Sequence, residues 1–282
     1  MTSTGKMAGQ HVVVTGAGTG IGRGVGLRFA QEGATVVFHY SHSSAGADSA
    51  VAEVNAGGGR AAAIKADFRK FEAYAQLVKD ARAFMGGIDV LVNNAGITMN
   101  VPIEEVTLEQ YDTLFNVNIR AQIFLTQAVL PLMAAQGKGH IINVTSIHAY
   151  AGATGHPIYA ATKGAIVSFT REVALEVIRK GVRVNAIAPG AVRVENQEQA
   201  LGPDFDWDAG GKMLPTGFVA QPEDIGNVAI YLASDDSRYI IGQTIICDGG
   251  QTAIMALTGD FDAPRNVLFG RRYIASMSGE KV

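Results

Sequence analysis

Apolar residues along the chain fall into short, nearly unbroken runs, separated by segments in which they return every three or four positions. The runs are HVVVTG (11–16), ATVVFHY (34–40), AAAIKAD (61–67), IDVLVNNAG (88–96), GHIINVTS (139–146), GVRVNAIAPG (181–190) and QTIICDGG (243–250). Several are rich in Val and Ile, and none alternates polar with apolar, which marks strands buried on both faces. Helical periodicity predicts helices over 22–33, within 41–59 after a polar loop, and over 70–86, 108–137, 159–180 and 222–234. The stretch between 190 and 221 shows no clear period and reads as irregular. Strands alternating with helices predict an α/β fold, a seven-stranded parallel sheet covered by helices on both faces. No linker interrupts the pattern, so residues 1–282 read as one domain, with 1–9 as a loose polar tail.

Composition narrows the choice of partners. With 48% hydrophobic residues the chain carries enough apolar material for a full core. A formal charge of −3 without a basic tract gives no support to nucleic-acid binding. Cys247 is the single cysteine, which excludes an internal disulfide and a cysteine-based zinc site; no metal site is expected, and Cys247 within TIIC reads as a small buried hydrophobe. No apolar run in the sequence reaches the length of a membrane span, and MTSTGKMAGQ lacks a signal-peptide core. The expectation is a cytoplasmic protein without a membrane partner.

Two stretches carry chemistry. The first, VVVTGAGTGIGRG, joins the first strand to the first helix, with glycines at 16, 18, 20 and 22. Ile21 breaks the G-x-G-x-x-G spacing, but Gly16, Gly20 and Gly22 satisfy G-x-x-x-G-x-G. Either spacing lets bare backbone approach a pyrophosphate over a helix N-terminus, and the first strand-to-helix turn of a doubly wound Rossmann sheet is where such a site belongs. No Lys-Ser/Thr follows the glycines, which argues against a P-loop triphosphatase. The second stretch is SIHAYAGATGHPIYAATK (146–163). Ser146 ends a strand, and Tyr159 and Lys163 lie four apart on a helix, stacked on one face. A free phenol titrates near 10; a cation beside it favours the phenolate, making a usable acid/base, and a serine hydroxyl could hold the oxygen on which it acts. Alone, Tyr-x-x-x-Lys is a common surface spacing. Its weight comes from the glycine turn upstream.

Over roughly residues 9–252 the chain resembles the classical short-chain dehydrogenases/reductases. The resemblance rests on TGAGTGIG (15–22), Asp67, NNAG (93–96), Asn118, Ser146, YAATK (159–163) and PG (189–190), in that order. It implies that Tyr159 is the acid/base, that Ser146 positions the substrate oxygen, and that Lys163 lowers the phenol pKa and holds the nicotinamide ribose. It further implies that Asn118 anchors a water in a proton relay. Asn94, Ala95 and Gly96 would flank the adenosine ribose, Asp67 would contact the adenine, and the backbone near Val192, after Pro189 and Gly190, would orient the carboxamide. With Gly16, Thr19, Gly20, Ile21 and Gly22 these form the expected cofactor site. Asn93 reads as structural.

The second strand ends at Tyr40, followed by Ser41, His42 and Ser43, with no carboxylate to bind a ribose 2′-OH and no Arg or Lys in 40–47 to bind a 2′-phosphate. The balance leans to NADP, with NAD also usable. The segments expected to line the substrate pocket offer His148, Tyr150 and His156, then Arg193, Glu195, Asn196, Asp206, Trp207 and Asp208. Such a polar set suits a sugar, a polyol or a similar small alcohol or carbonyl compound, held mainly by Ser146, His148, His156, Tyr159 and Arg193. The rivals are a 3-oxoacyl (acyl-carrier-protein) reductase and a non-catalytic nucleotide-binding regulator; the latter has no use for Asn118, Ser146, Tyr159 and Lys163 together. Beyond CDGGQT the chain continues for some 30 residues, and the mixed apolar and arginine-rich extension (255–282) is expected at a subunit interface of a homotetramer.

Overall fold

The computed structural model describes residues 5–254. Seven strands form one parallel sheet: β1 (His11–Val14), β2 (Thr35–Tyr40), β3 (Arg60–Lys65), β4 (Val90–Asn93), β5 (Gly139–Val144), β6 (Val182–Pro189) and β7 (Thr244–Cys247), in the spatial order 3-2-1-4-5-6-7. This is the doubly wound Rossmann arrangement. The order reverses between β1 and β4, which opens a crevice above their carboxyl ends, where ligands bind in such sheets.

Side chains along each strand point alternately to the two faces, and both faces are apolar. Val12, Val14, Val36, Phe38 and Val92 enter one core with Val25 and Phe29 of α1 (Gly20–Gln31), Ala47 and Ala50 of α2 (Ser44–Ala56), and Ile225 and Ala229 of α9 (Pro222–Ala233). Val13, Val37, Leu91 and Ile141 enter the other. There they meet Leu77 of α3 (Ala73–Met85), Leu125 and Val129 of α5 (Ala121–Gln136), and Ala174 of α6 (Pro157–Val177).

Four features depart from the sequence reading. Residues 5–9 are not a loose tail: Met7 is buried in the core, and its N–H donates to Glu32 O at 3.0 Å. The irregular stretch after β6 contains two short helices, α7 (Glu195–Leu201) and α8 (Trp207–Lys212), too short for periodicity to reveal. The expected helix over 108–137 is α4 (Leu108–Phe115), a π-helical turn (Asn116–Arg120) and α5 in continuous succession. That run, Leu108–Gln136, does have the length and mean hydropathy (1.2) of a membrane span. Its apolar face, however, carries Leu114, Leu125, Val129 and Met133 into the core, as the core helix of a globular domain does.

Candidate active site

The turn after β1 is shaped by glycines that a side chain would obstruct. Gly16 takes φ +62, in the left-handed region, and a Cβ there would stand 2.8 Å from Ala95 Cα. A Cβ on Gly22 would collide with the Asn94 amide and the Gly16 carbonyl. That space is used: Asn94 Nδ2 donates to Thr15 O (2.9 Å) and Gly16 O (3.1 Å), tying the end of β4 beneath the first turn of α1. Thr15 Oγ1 accepts from the N–H groups of Asn94 (2.9 Å) and Ala95 (3.0 Å), completing the clamp.

His39, on β2, holds the same turn from the other side. Gly16 N–H donates to its Nδ1 (3.1 Å), and its Nε2 lies 3.1 Å from Ala66 O. A ring nitrogen facing a carbonyl must carry the proton, so the imidazole is the neutral Nε2–H form. It is buried and stacked on Phe68 at 4.2 Å between centroids, and burial pulls its pKa down to about 4. Thr15 has no role assigned from the sequence, although it opens the TGAGTGIG motif, and nothing there marked His39. Their roles depend on contacts between strands, which only the sheet register defines.

On the far side of the cleft stand Ser146, just past β5, and Tyr159 and Lys163 on α6. Ser146 Oγ accepts from His148 N–H at 3.2 Å and stands beside the Tyr159 hydroxyl in the same cleft. Lys163 is buried, with Nζ donating to Val144 O at 3.1 Å and standing 5.4 Å from the Tyr159 ring centroid. Burial lowers its pKa to about 8, which still leaves an ammonium at neutral pH. The phenol departs from the expectation that the lysine would lower it: burial raises its pKa, with the Ser146 hydroxyl opposing. The ammonium is directed at a backbone carbonyl, and removal from water is the larger effect on the tyrosine.

Asn118 sits in the π turn and is fully buried. Its Oδ1 accepts from Ile97 N–H (2.8 Å), and its Nδ2 donates to Ile97 O (2.9 Å) and Thr162 Oγ1 (3.1 Å). The side chain therefore pins the 96–98 loop to α6 behind Lys163, and is not on the cleft wall. A π turn re-aims one residue of a helix at a cost in regular bonding, and such turns concentrate at functional sites.

One cleft of about 520 Å³ runs from the glycine turn to Tyr159 and joins these two halves. A chain-wide comparison agrees with its layout. A family model described as enoyl-(acyl carrier protein) reductase matches residues 16–252. A hydroxynaphthalene reductase-like protein, Arp2, of Metarhizium anisopliae is 38% identical over 87% of this chain and 96% of its own length. The 3-oxoacyl-[acyl-carrier-protein] reductase of Synechocystis is 37% identical over 86% of this chain and 97% of its own. Among solved structures, a candidate NAD(P)-dependent gluconate 5-dehydrogenase from Beutenbergia cavernae, with bound NADP, superposes with a TM-score of 0.81 at 37% identity, covering 88% of this chain and 98% of that one. The chain belongs to the short-chain dehydrogenase/reductase family. It is therefore an oxidoreductase by family, and its cleft can be read as that of a member.

Of the residues expected in a cofactor site, Gly16, Thr19, Gly20, Ile21, Asn94, Gly96, Lys163, Pro189, Gly190 and Val192 line this cleft, as do Ser146, His148, His156 and Tyr159 from the substrate set. Gly22 and Ala95 lie beneath its floor, as packing partners of Asn94 and Gly16. Tyr40 ends β2 and Ser41 follows it, both outside the cleft, while Ser43 abuts Gly18, leaving no room for a Cβ there. Asp67 is engaged by Arg69, whose Nη2 stands 2.7 Å from Oδ2 and whose Nε stands 2.9 Å from Oδ1, and this ion pair holds the carboxyl down at about 2.

Arg193 turns away from the main cleft. It pairs with Glu198 (2.7 Å), stacks over Trp207 (5.2 Å) and lines a second cleft of about 230 Å³. Asp206 caps α8 by accepting from Ala209 N–H (2.9 Å), and Tyr150 is exposed. The extension 255–282 lies outside the described residues. Glu195, Asn196, Gln197 and Gln251 join the wall from segments without periodicity.

Proposed function

We propose that the protein is an NAD(P)-dependent oxidoreductase that interconverts a secondary alcohol and its ketone or aldehyde on a small, hydroxylated, sugar-like or polyol substrate. The observation that carries this reading is the shared cleft, with a side-chain-free turn at one end and the Ser146–Tyr159–Lys163 group at the other. The turn fits a dinucleotide: the glycines leave a cradle that a Cβ would fill, and the first N–H of α1 already meets an anionic oxygen, that of Glu195. Gly16, Thr19, Gly20, Ile21, Asn94 and Gly96 would hold the adenosine diphosphate half; Lys163, Pro189, Gly190 and Val192 would hold the nicotinamide half. When bound, such a cofactor supplies or accepts hydride.

The chain's own residues handle the proton. Tyr159, kept protonated by burial, delivers its proton to a substrate carbonyl oxygen in the reductive direction. The Ser146 hydroxyl, beside the phenol in the cleft wall, orients that oxygen. In the oxidative direction the phenolate must form, and the buried Lys163 ammonium stabilises it. Asn118 acts as a positioning residue through Ile97 and Thr162.

Two further features support NADP(H) as the preferred cofactor. The sheet register sets Lys65 beside Tyr40, and Arg69 follows Asp67 at the same end of β2 and β3, so cations stand beside a segment, 40–47, that carries none itself. Bound NADP in two related structures, the second a candidate 2-deoxy-D-gluconate 3-dehydrogenase from Agrobacterium tumefaciens (TM-score 0.78, 32% identity, covering 88% of this chain and 98% of that one), points the same way. The substrate class rests on His148, His156, Asn196 and Gln251 in the wall and on those sugar-acid enzymes as neighbours. We also read the protein as cytoplasmic and homotetrameric. The test is a panel of sugar acids, polyols, hydroxyaryl ketones and 3-oxoacyl thioesters assayed by nicotinamide absorbance with each cofactor. The reading requires turnover strongest among the polyols or sugar acids; preference for a 3-oxoacyl thioester would replace the substrate class and leave the chemistry standing.

A further inference from the structure

A carboxylate stands on the donor that this reading gives to phosphate. Gly20 N–H, the first free donor of α1, donates to Glu195 Oε2 at 2.7 Å. Glu195 opens α7, on a segment fixed at its base by the Val192–Ala220 bridge and by Arg193 N–H donating to Ala220 O at 2.8 Å. The nearest cation on that segment does not neutralise it, because Arg193 is paired with Glu198 and stacked over Trp207. Unsatisfied N–H groups and the helix dipole favour any anion at such a terminus, so a carboxylate and a diphosphate contend for one donor.

We propose that Glu195 is an internal competitor of the dinucleotide. Its carboxylate holds α7 down on the glycine turn, and the cofactor diphosphate displaces it from Gly20. This rests on the dinucleotide reading above. Asn196 and Gln197, next on α7, belong to the wall of the same cleft. Release of Glu195 therefore unties this part of the wall from the glycine turn.

The test titrates the full chain as wild type, Glu195→Gln and Glu195→Ala with ADP-ribose and, separately, with adenosine. Losing the competing charge should tighten ADP-ribose binding about tenfold in both variants, the scale of one charge-assisted bond. Adenosine, which has no diphosphate, should bind all three alike. Trp207 is the only tryptophan and lies on α8, just beyond α7, so its fluorescence reports the segment directly. Mixing with ADP-ribose should give a slow phase in the wild type that accelerates in Glu195→Gln. Unchanged or weaker ADP-ribose binding in both variants, or an equal gain for adenosine, would overturn the proposal while leaving the dinucleotide reading intact. If no form bound ADP-ribose or NADP, that reading would fall and the competitor with it.

Discussion

Two buried histidines, His39 and His140, should make the protein acid-sensitive in the same way yet respond oppositely to replacement. Burial holds His39 at about 4 and His140 at about 3, against a usual 6.5; nearby Arg183 and Lys138 push His140 the same way. Both are therefore neutral when folded and take up protons when unfolded. Stability is complete above pH 6.5 and drains as pH falls toward the folded-state values. Between pH 7.5 and pH 5 each site loses about 2 kcal/mol, about 4 kcal/mol together. Asp67, held near 2, keeps its contribution throughout this window and loses it only below the usual carboxylate range.

The two sites differ in bonding. His39→Leu strands Gly16 N–H and Ala66 O, costing about 2–4 kcal/mol at pH 7.5. Among the described residues neither nitrogen of His140 has a partner, so His140→Leu removes a buried unsatisfied group and should be neutral or stabilising by about 1 kcal/mol. Each variant should lose only half of the wild-type acid sensitivity. Urea unfolding midpoints at pH 7.5 and pH 5, at one protein concentration, measure all of this. A His140→Leu protein as acid-sensitive as wild type, or clearly destabilised at pH 7.5, would refute the assignment of a neutral, unpartnered imidazole.

Gly22→Ala forces a methyl group onto the Asn94 amide and should cost about 1–3 kcal/mol by overpacking, with cofactor KM raised more than kcat is lowered. Steady-state kinetics together with thermal melting check it, and unchanged cofactor KM would show that the Asn94 clamp does not shape the turn. Arg69→Ala removes a cation and frees the Asp67 carboxylate, so it should shift preference from NADP toward NAD by about tenfold. Equal effects on the two cofactors would place the 2′-phosphate elsewhere.

The sheet was legible because its strands are buried on both faces and write themselves as apolar runs: VVV, VVF, VLV and IIN need no tertiary knowledge. The catalytic group was legible for a different reason, since Tyr159 and Lys163 share one helix face and their spacing is local. What escaped was non-local. His39 looked like the tail of a strand until the register brought Gly16 and Ala66 to its two nitrogens. Asn118 was recognised, but its partner Ile97 lies 21 residues away and turns the side chain off the cleft wall. The depressed phenol expected from a neighbouring ammonium gave way to burial, a quantity that spacing alone does not carry. Helices α7 and α8 have seven and six residues, fewer than two full turns each, so no period could form.

The central claim is that Tyr159 exchanges a proton with the substrate oxygen inside a dinucleotide cleft. The most direct measurement is Tyr159→Phe, with NADP affinity and kcat determined on the same preparation. Removing one hydroxyl should leave NADP affinity within about twofold and lower kcat by about a thousandfold, the scale of general acid–base catalysis. A variant that keeps more than about a tenth of wild-type kcat would contradict the account.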